Sequence, residues 1–251
     1  MSERALTGRT ALVTGGARGI GRACCQRLAQ AGANVAINYR SSEVQAHETV
    51  ELVQAAGVKA HAIRADVSSP EQVEVMVAEV TNALGPIDVL VNNAARDTRH
   101  RLDEWSVAQW DESIATNLRP HFFTAQAVAP DMRALGGGAI INLSSNSYLL
   151  GLSGYPTYVT AKAGIMGLTK ALARELGPDS IRVNCLIPGW VMTERQKELW
   201  VNDADLQECL DQQCLKEAIP VDDMIGPCLF LASNASRMMT GQELIVDGGR
   251  L

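Results

Sequence analysis

At 251 residues, 47% hydrophobic and 20% charged, the chain has the makeup and length of a globular protein with a sizeable core, which excludes a disordered or membrane-embedded chain. Its formal net charge of −6 comes with no run of lysines or arginines, so a phosphate-backbone partner, and hence nucleic acid, is not expected. No apolar run reaches the ~18–20 residues of a membrane span, and the opening "MSERALTGRT" lacks a secretory core, so a cytoplasmic location without a membrane partner is the expectation.

The first β-rich run, "TALVTGG", passes through "TGGARGIG", with glycines at 15, 16, 19 and 21, into a helical stretch from Gly19 to Ala31. A tight glycine turn between a strand and a helix lets the backbone approach a pyrophosphate, whose charge sits at the positive helix end. A purely structural turn is the alternative. The second strand, "NVAINY", ends in "NYRSS", where NAD enzymes usually place an Asp or Glu for the ribose hydroxyl. Here that place offers Asn38, Tyr39, Arg40, Ser41 and Ser42, with Arg18 inside the glycine loop. Two guanidiniums and two hydroxyls suit a ribose 2′-phosphate, so NADP is expected ahead of NAD. Solvated surface charges are the competing reading of Arg18 and Arg40.

Further along, "KAHAIRADV", "IDVLVNN", "GAIINLSS", "IRVNCLIPG" and "ELIVDGG" read as strands, being apolar runs too short for helices and bounded by turn residues. Helical segments run from Pro70 to Leu84, from Val107 to Ala134 and from Pro156 to Leu176, with "GP" stops at 85/86 and 177/178. Strict alternation of apolar strands with helices predicts an α/β fold, a single-domain doubly wound parallel sheet with helices on both faces. No linker or repeat divides it. Residues 190–218 form the one long insertion; after a strand's carboxyl end it is placed to be a substrate lid, with a plain surface excursion as the alternative. The six cysteines (24, 25, 185, 209, 214, 228) show no CxxC, and Cys209/Cys214 has no histidine nearby, so reduced thiols and no metal are expected.

The stretch "YPTYVTAK" at 155–162 raises the question of chemistry. On a helix Tyr158 and Lys162, four apart, share a face; Tyr155 lies seven from the lysine. A phenol with a pKa of about 10 is a poor base near neutrality, and lowering it by ~3 units needs about 4 kcal/mol of preference for the phenolate. A nearby ammonium and an oxidised nicotinamide could share that cost.

Six features appear in one order: "TGGARGIG", "NNAA" at 92–95, Asn117 in "IATNL", a serine strand end at 144/145, "YVTAK" and "PG" at 188/189. Through them the chain resembles the short-chain dehydrogenase/reductase family over nearly its whole length, which implies a Rossmann-like sheet and an NAD(P)-dependent oxidoreductase. The family's NNAG reads NNAA here. The resemblance implies Tyr158 as acid/base and Lys162 as its electrostatic and ribose partner. Ser145, 13 residues before Tyr158, becomes the substrate-polarising serine, and Asn117 would bind a water linking Lys162 to solvent. It also implies a cofactor set of Gly15, Arg18, Gly19, Ile20, Gly21, Arg40, Ser41, Asp66, Val67, Asn93, Pro188, Gly189, Val191 and Thr193 beside Tyr158 and Lys162.

For the substrate, "RDTRHRL" at 96–102 and "TERQKELW" at 193–200 bring Arg99, His100, Arg195 and Gln196 to the expected edge, with Asn146 and Ser147 beside the serine. Tyr155 stands either beside the substrate or in packing, and His100 is read equally as a structural residue. A ring of hydrogen-bonding groups fits a polyhydroxylated substrate. The segments "DTRH", "WDESIATNLR", "QAVAPDM", "AKAGIMGLTKALARELGPD", "TERQ" and "QCL" resemble aldose 1-dehydrogenases of the family, implying oxidation of a sugar's anomeric hydroxyl to an aldonolactone. One alternative is an NADPH-dependent 3-oxoacyl-thioester (acyl-carrier-protein) reductase, against which the acidic charge argues. Another is a non-catalytic NADP-binding regulator. Helices 107–134 and 156–176 carry more small and apolar side chains than one sheet face needs, so a homo-oligomer is expected; the resemblance implies a dimer or tetramer, with the "VDGGRL" tail at a further contact.

Overall fold

The structure is a computed structural model, and it describes residues 4–251. Seven strands, β1 (Thr10–Val13), β2 (Asn34–Tyr39), β3 (Ala60–Arg64), β4 (Val89–Asn92), β5 (Gly138–Leu143), β6 (Ile181–Pro188) and β7 (Glu243–Val246), form one sheet in the order β3-β2-β1-β4-β5-β6-β7. Every pair is parallel. A parallel sheet must be covered on both faces, which is why β1 and β4 are buried at every position.

Helices α1 (Gly19–Gln30), α2 (Glu43–Gln54), α3 (Pro70–Leu84), α4 (Val107–Asn117), α5 (Arg119–Ala134) and α6 (Pro156–Leu176) follow in chain order, then α7 (Glu194–Leu199), α8 (Asp203–Gln212) and α9 (Ile225–Ala232). Leu28 of α1, Val53 of α2 and Leu229 of α9 pack on Val13, Val35 and Ile37 on one face. On the other, Met76 of α3, Val128 of α5 and Leu172 of α6 pack on Leu12, Leu90 and Ile140. The fold expected from the alternation is therefore the one observed. Among the described residues no helix is long and apolar enough to cross a membrane.

The bounds Pro70–Leu84 and Pro156–Leu176 are those expected. At the start of α3 the Ser69 hydroxyl accepts from the Gln72 amide and Pro70 takes the first helical place; Gly85, at φ 92°, ends it. The long helix expected over 107–134 is instead two. It breaks at Leu118 (φ −124°, ψ −53°) because Pro120 has no amide hydrogen for the carbonyl a turn earlier and its ring crowds that carbonyl. Residues 190–218 contain α7 and α8. Helix α9 was not singled out beforehand, since "IGPCLFLA" is apolar on every side and opens with Gly226-Pro227, which hides a helical period.

Candidate active site

Strand order reverses between β1 and β4, and in such sheets the crevice beyond the carboxyl ends at that point is the place for a ligand. Here it is a cleft of about 600 Å³ lined by residues from the ends of β4, β5 and β6, from α6 and from the 190–208 segment.

The glycine turn lies beside it and contributes Ile20 to its lining. Gly15 and Gly19 have φ of 63° and 55°, a left-handed backbone that favours glycine. A Cβ on Gly21 would collide with the carbonyl oxygen of Gly15. Asn93 ties this turn to β4: its Nδ2 donates to the Thr14 and Gly15 carbonyls at 2.9 and 3.1 Å. The Thr14 hydroxyl accepts from the amides of Asn93 and Ala94. Among the described residues Ser180 is the one non-glycine with a positive φ, so Ala95, in the place of the family's glycine, sits in ordinary backbone. The close approach of bare backbone at Gly15 to Gly21, with Ile20, Pro188, Gly189, Val191 and Thr193 around the cleft, fits a dinucleotide.

At the far end of β2, Arg40 is half-exposed and lies 3.7 Å from Asp66; Ser41 and Arg18 are exposed and Val67 is buried. Asn38, offered by sequence as part of this group, is structural. Its Oδ1 accepts from the Gly15 amide and its Nδ2 donates to the Ala65 carbonyl at 3.0 Å.

Ser144 and Ser145 divide as strand alternation requires. Ser144 donates to the Lys162 carbonyl at 2.7 Å and is buried, anchoring α6, whereas Ser145 lines the cleft beside the Tyr158 phenol. Tyr158 and Lys162 lie one turn apart on α6, the ammonium 5.5 Å from the centre of the phenol ring. Lys162 is only 2% exposed. Its Nζ donates to the Leu143 carbonyl at 2.8 Å, and burial pushes its pKa down to about 8 against the opposing pull of Cys185 and Asp97.

The Tyr158 phenol is not lowered in this chain by itself: burial pushes it up, Asp97 and Tyr155 add to the rise, and the Ser145 hydroxyl and Arg99 oppose it. Lys162 spends its proton on Leu143 rather than on the phenol. The Asn117 side chain is taken up by protein groups. Its Oδ1 accepts from the Arg96 amide at 2.8 Å and its Nδ2 donates to the carbonyls of Arg96 and Ser113. The helix break frees its main-chain carbonyl instead, because the His121 amide bonds to Leu118. His121 itself is buried, with neither ring nitrogen partnered among the described residues. Burial, then the Lys162 charge, push its pKa down to about 3.

The substrate side is built from loops. Arg99 lays its guanidinium 3.8 Å from the centre of the Tyr155 ring and 5.1 Å from that of Trp200. Arg195 pairs with Asp97 at 3.0 Å, Gln196 donates to the same carboxylate at 3.2 Å, and the Trp190 indole donates to Gln196. Arg195 thus fastens α7 to the 93–100 loop and does not itself line the cleft; Gln196, Arg99, Tyr155 and Asn146 do. Asn146 is buried and turned toward Asp247. His100 is a structural residue: it bonds Arg101 and Thr157, stacks on Trp105 at 3.8 Å and lies outside the cleft.

Sequence reasoning did not single out Asp97, Trp190, Trp200, Asp205, Glu208 or Arg250, all of which line the cleft. Asp97 and Trp200 stood inside segments already placed at this edge. Arg250 had no such signal, since it arrives only because Gly248 and Gly249 pair with the amides of Leu215 and Cys214 behind α8. The six cysteines are free, five of them buried and Cys214 exposed.

Residues 15–250 match a family model described as enoyl-(acyl carrier protein) reductase. Over 244 residues the chain is 47% identical to a probable galactose dehydrogenase of Rhizobium meliloti, covering 97% of this chain and 95% of that one. It is 42% identical over 244 residues to D-xylose 1-dehydrogenase of Caulobacter vibrioides, covering 97% and 96%. It is also 40% identical over 241 residues to a 3-oxoacyl-[acyl-carrier-protein] reductase of Staphylococcus epidermidis, covering 96% and 98%. Among solved structures, a doubly substituted short-chain dehydrogenase/reductase from Serratia marcescens superposes with a TM-score of 0.91 at 34% identity, covering 98% of this chain and 99% of that one.

Proposed function

The chain belongs to the short-chain dehydrogenase/reductase family and is an oxidoreductase of it; on that premise we propose that it oxidises the anomeric hydroxyl of an aldose to an aldonolactone, with NADP as hydride acceptor. The observation that carries the sugar reading is the polar ring in front of Ser145 and Tyr158, made by Asp97, Arg99, Asn146 and Gln196. Asp97 and Gln196 already bond one another, Arg195 and Trp190; the group an apolar substrate would strand is the Arg99 guanidinium, which lies over Tyr155 in the cleft. The relatives named for galactose and D-xylose point the same way.

When bound, the nicotinamide supplies the hydride acceptor and, in its oxidised form, a positive charge. The chain's own groups do the rest. Ser145 donates to the substrate oxygen and fixes it against Tyr158, which removes the hydroxyl proton. A phenol raised by burial must be brought down for this; within the chain Arg99 already opposes the rise, and Lys162, one turn along α6, is the second cation that can do so. Turning its ammonium from the Leu143 carbonyl toward the nicotinamide ribose brings it under the phenol. The proton then passes through Lys162 toward a water held by the Asn117 carbonyl, the group left free where α4 and α5 part.

NADP is favoured by Arg18, Arg40 and Ser41 around the end of β2, whose own residues 38–42 include no Asp or Glu; the carboxylate nearest Arg40, that of Asp66, comes from the end of β3. Exposed Val107, Trp110 and Phe122 on α4 and α5 support a homo-oligomer through those helices. The second reading, a 3-oxoacyl-thioester reductase, draws on the 40% identical relative and would run the proton transfer in reverse from neutral Tyr158.

Following NADPH formation with D-galactose, D-xylose and further aldoses, beside NADPH consumption with an acetoacetyl thioester, tests the choice. Turnover of at least one aldose, with a lower KM for NADP than for NAD, is expected. Thioester reduction without turnover of any aldose overturns the sugar reading, and a preference for NAD overturns the cofactor assignment.

A further inference from the structure

A second cavity, of about 650 Å³, lies at the opposite end of the sheet from the cleft. Its lining includes Arg9, directly before β1, Asp88, directly before β4, Ser180 and Arg182 at the start of β6, and Arg237 and Thr240 between α9 and β7. With the 136–138 turn at the start of β5, the amino ends of four adjacent strands meet there. None of the residues assigned above to hydride transfer or cofactor binding belongs to it.

Its charge sets it apart. Three guanidiniums and one carboxylate leave two positive charges in excess, in a chain whose net charge is −6. Among the described residues none of the four forms an ion pair. Arg182 is anchored from behind, its Nη1 donating to the Ser236 hydroxyl at 2.9 Å and its Nη2 to the Leu231 and Ser233 carbonyls at 2.9 and 3.1 Å. Its Nε is left without a protein partner among the described residues and is not sealed from solvent. Arg9 gives one donor to Asn234 at 3.4 Å, and Arg237 is exposed. Arg9 and Arg182 repel one another: after burial, the Arg9 charge is what lowers the Arg182 pKa. Asp88 does not relieve them. Burial pushes its carboxyl up to about 6 although Arg9 pulls the other way, and its Oδ1 is sealed without a donor. Cations held together with too little opposing charge are a cost that a bound anion removes.

We propose that this cavity binds a phosphate-type dianion, free or carried as the monoester of a small polar molecule. Two excess charges match a dianion, and guanidiniums arriving from three separate elements suit the diverging oxygens of a tetrahedral group, whereas a planar carboxylate fills one fork. The Ser180 hydroxyl, exposed on the same lining, can add a donor. At about 650 Å³ the cavity has room beside the phosphate for the rest of an ester. Asp88 is the like charge that limits affinity. The site stands whichever substrate the cleft takes.

The test is isothermal titration calorimetry of the full chain at constant ionic strength with saturating NADP, which fills the anion site of the cleft; inorganic phosphate, glucose 6-phosphate and succinate are the probes. The wild type should bind phosphate, Arg237→Gln and Arg9→Gln should each weaken it by about 10-fold, and Asp88→Asn should tighten it by about 3-fold. Arg237→Gln changes an exposed side chain outside the cleft and should keep the wild-type melting temperature in chloride, so that its loss of binding is not a loss of fold. Tighter binding of glucose 6-phosphate than of phosphate makes a monoester the ligand and equal binding makes it the free ion, and either supports the site. No saturable heat with phosphate or its ester overturns it, as do unchanged affinities in both arginine variants. Succinate binding more tightly than both phosphates overturns the phosphate assignment.

Discussion

The two walls of the cleft are built in different ways. One is the sheet edge and α6, a helix of 21 residues whose Lys162 is sealed in the core and whose start is pinned by Ser144. The other is the 190–218 segment, with helices of 6 and 10 residues, its two ends drawn together by a bridge between Val191 and Ile219 and its first helix held to the body by the polar contacts of Asp97. Groups that move protons need fixed distances and sit where packing supplies them; groups that choose the substrate sit on short elements whose geometry a few polar contacts decide.

Substitutions should separate the two walls, the largest effect falling on the packed one. Tyr158→Phe removes the base without disturbing packing and should lower kcat by about 10³-fold or more, with NADP affinity retained in a fluorescence titration. Lys162→Met should also cost most of the activity, yet make the protein more stable. In the fold this lysine has its pKa pushed down to about 8 from 10.5, so between those values the unfolded chain binds more protons and stability rises with pH. The penalty of burying it is therefore fully present below pH 8. The variant should melt higher than the wild type at pH 7, and the gap should close toward pH 10.5 in a thermal denaturation series.

On the looser wall, Asp97→Asn should raise the KM for the sugar about 10-fold by freeing Arg195 and weakening the hold on α7, with a smaller change in kcat. Asp97 is also one cause of the raised phenol, so the acidic limb of the kcat/KM profile should move to lower pH in this variant. A KM unchanged by the substitution would show that the lid needs no such fastening. The smallest effect is expected from His121→Leu, behind Lys162. Its imidazole is neutral down to about pH 3 in the fold against an ordinary 6.5. The unfolded chain thus binds more protons between those values, and the wild type loses stability as pH falls through them. Asp88, raised to about 6 by burial, works in the opposite sense above its ordinary 3.8. The informative quantity is therefore the difference between variant and wild type, which should grow in the variant's favour from pH 6.5 toward pH 4.

The same contrast governs how much could be read from the sequence. The pairing of Tyr158 with Lys162 is legible because the helix period converts spacing directly into facing, and the parallel sheet follows from apolar runs; strand alternation separates Ser144 from Ser145 without saying which meets the cleft, and the family resemblance points to Ser145. The helix break at Leu118 was signalled by Pro120 but masked by continuous apolar content on either side. What escaped were relations across the chain. Asp97 meets residues of α7 nearly a hundred positions away, and Arg250 reaches the cleft only through the return of the tail behind α8. His100 reads as a cleft residue beside Arg99, yet its neighbour Trp105 and Thr157 of α6 turn it inward. The spacing of Tyr158 and Lys162 shows that they can meet, while the depth that raises one and lowers the other is a property of the packed whole.

The central claim, transfer of hydride from the anomeric carbon to NADP while Tyr158 takes the proton of the hydroxyl on that carbon, is tested most directly with an oxidisable aldose carrying deuterium at C1. Mass spectrometry of the reduced cofactor should find one deuterium transferred to NADPH, with none when the label is placed at any other carbon. Unlabelled NADPH from the C1-deuterated sugar would contradict it.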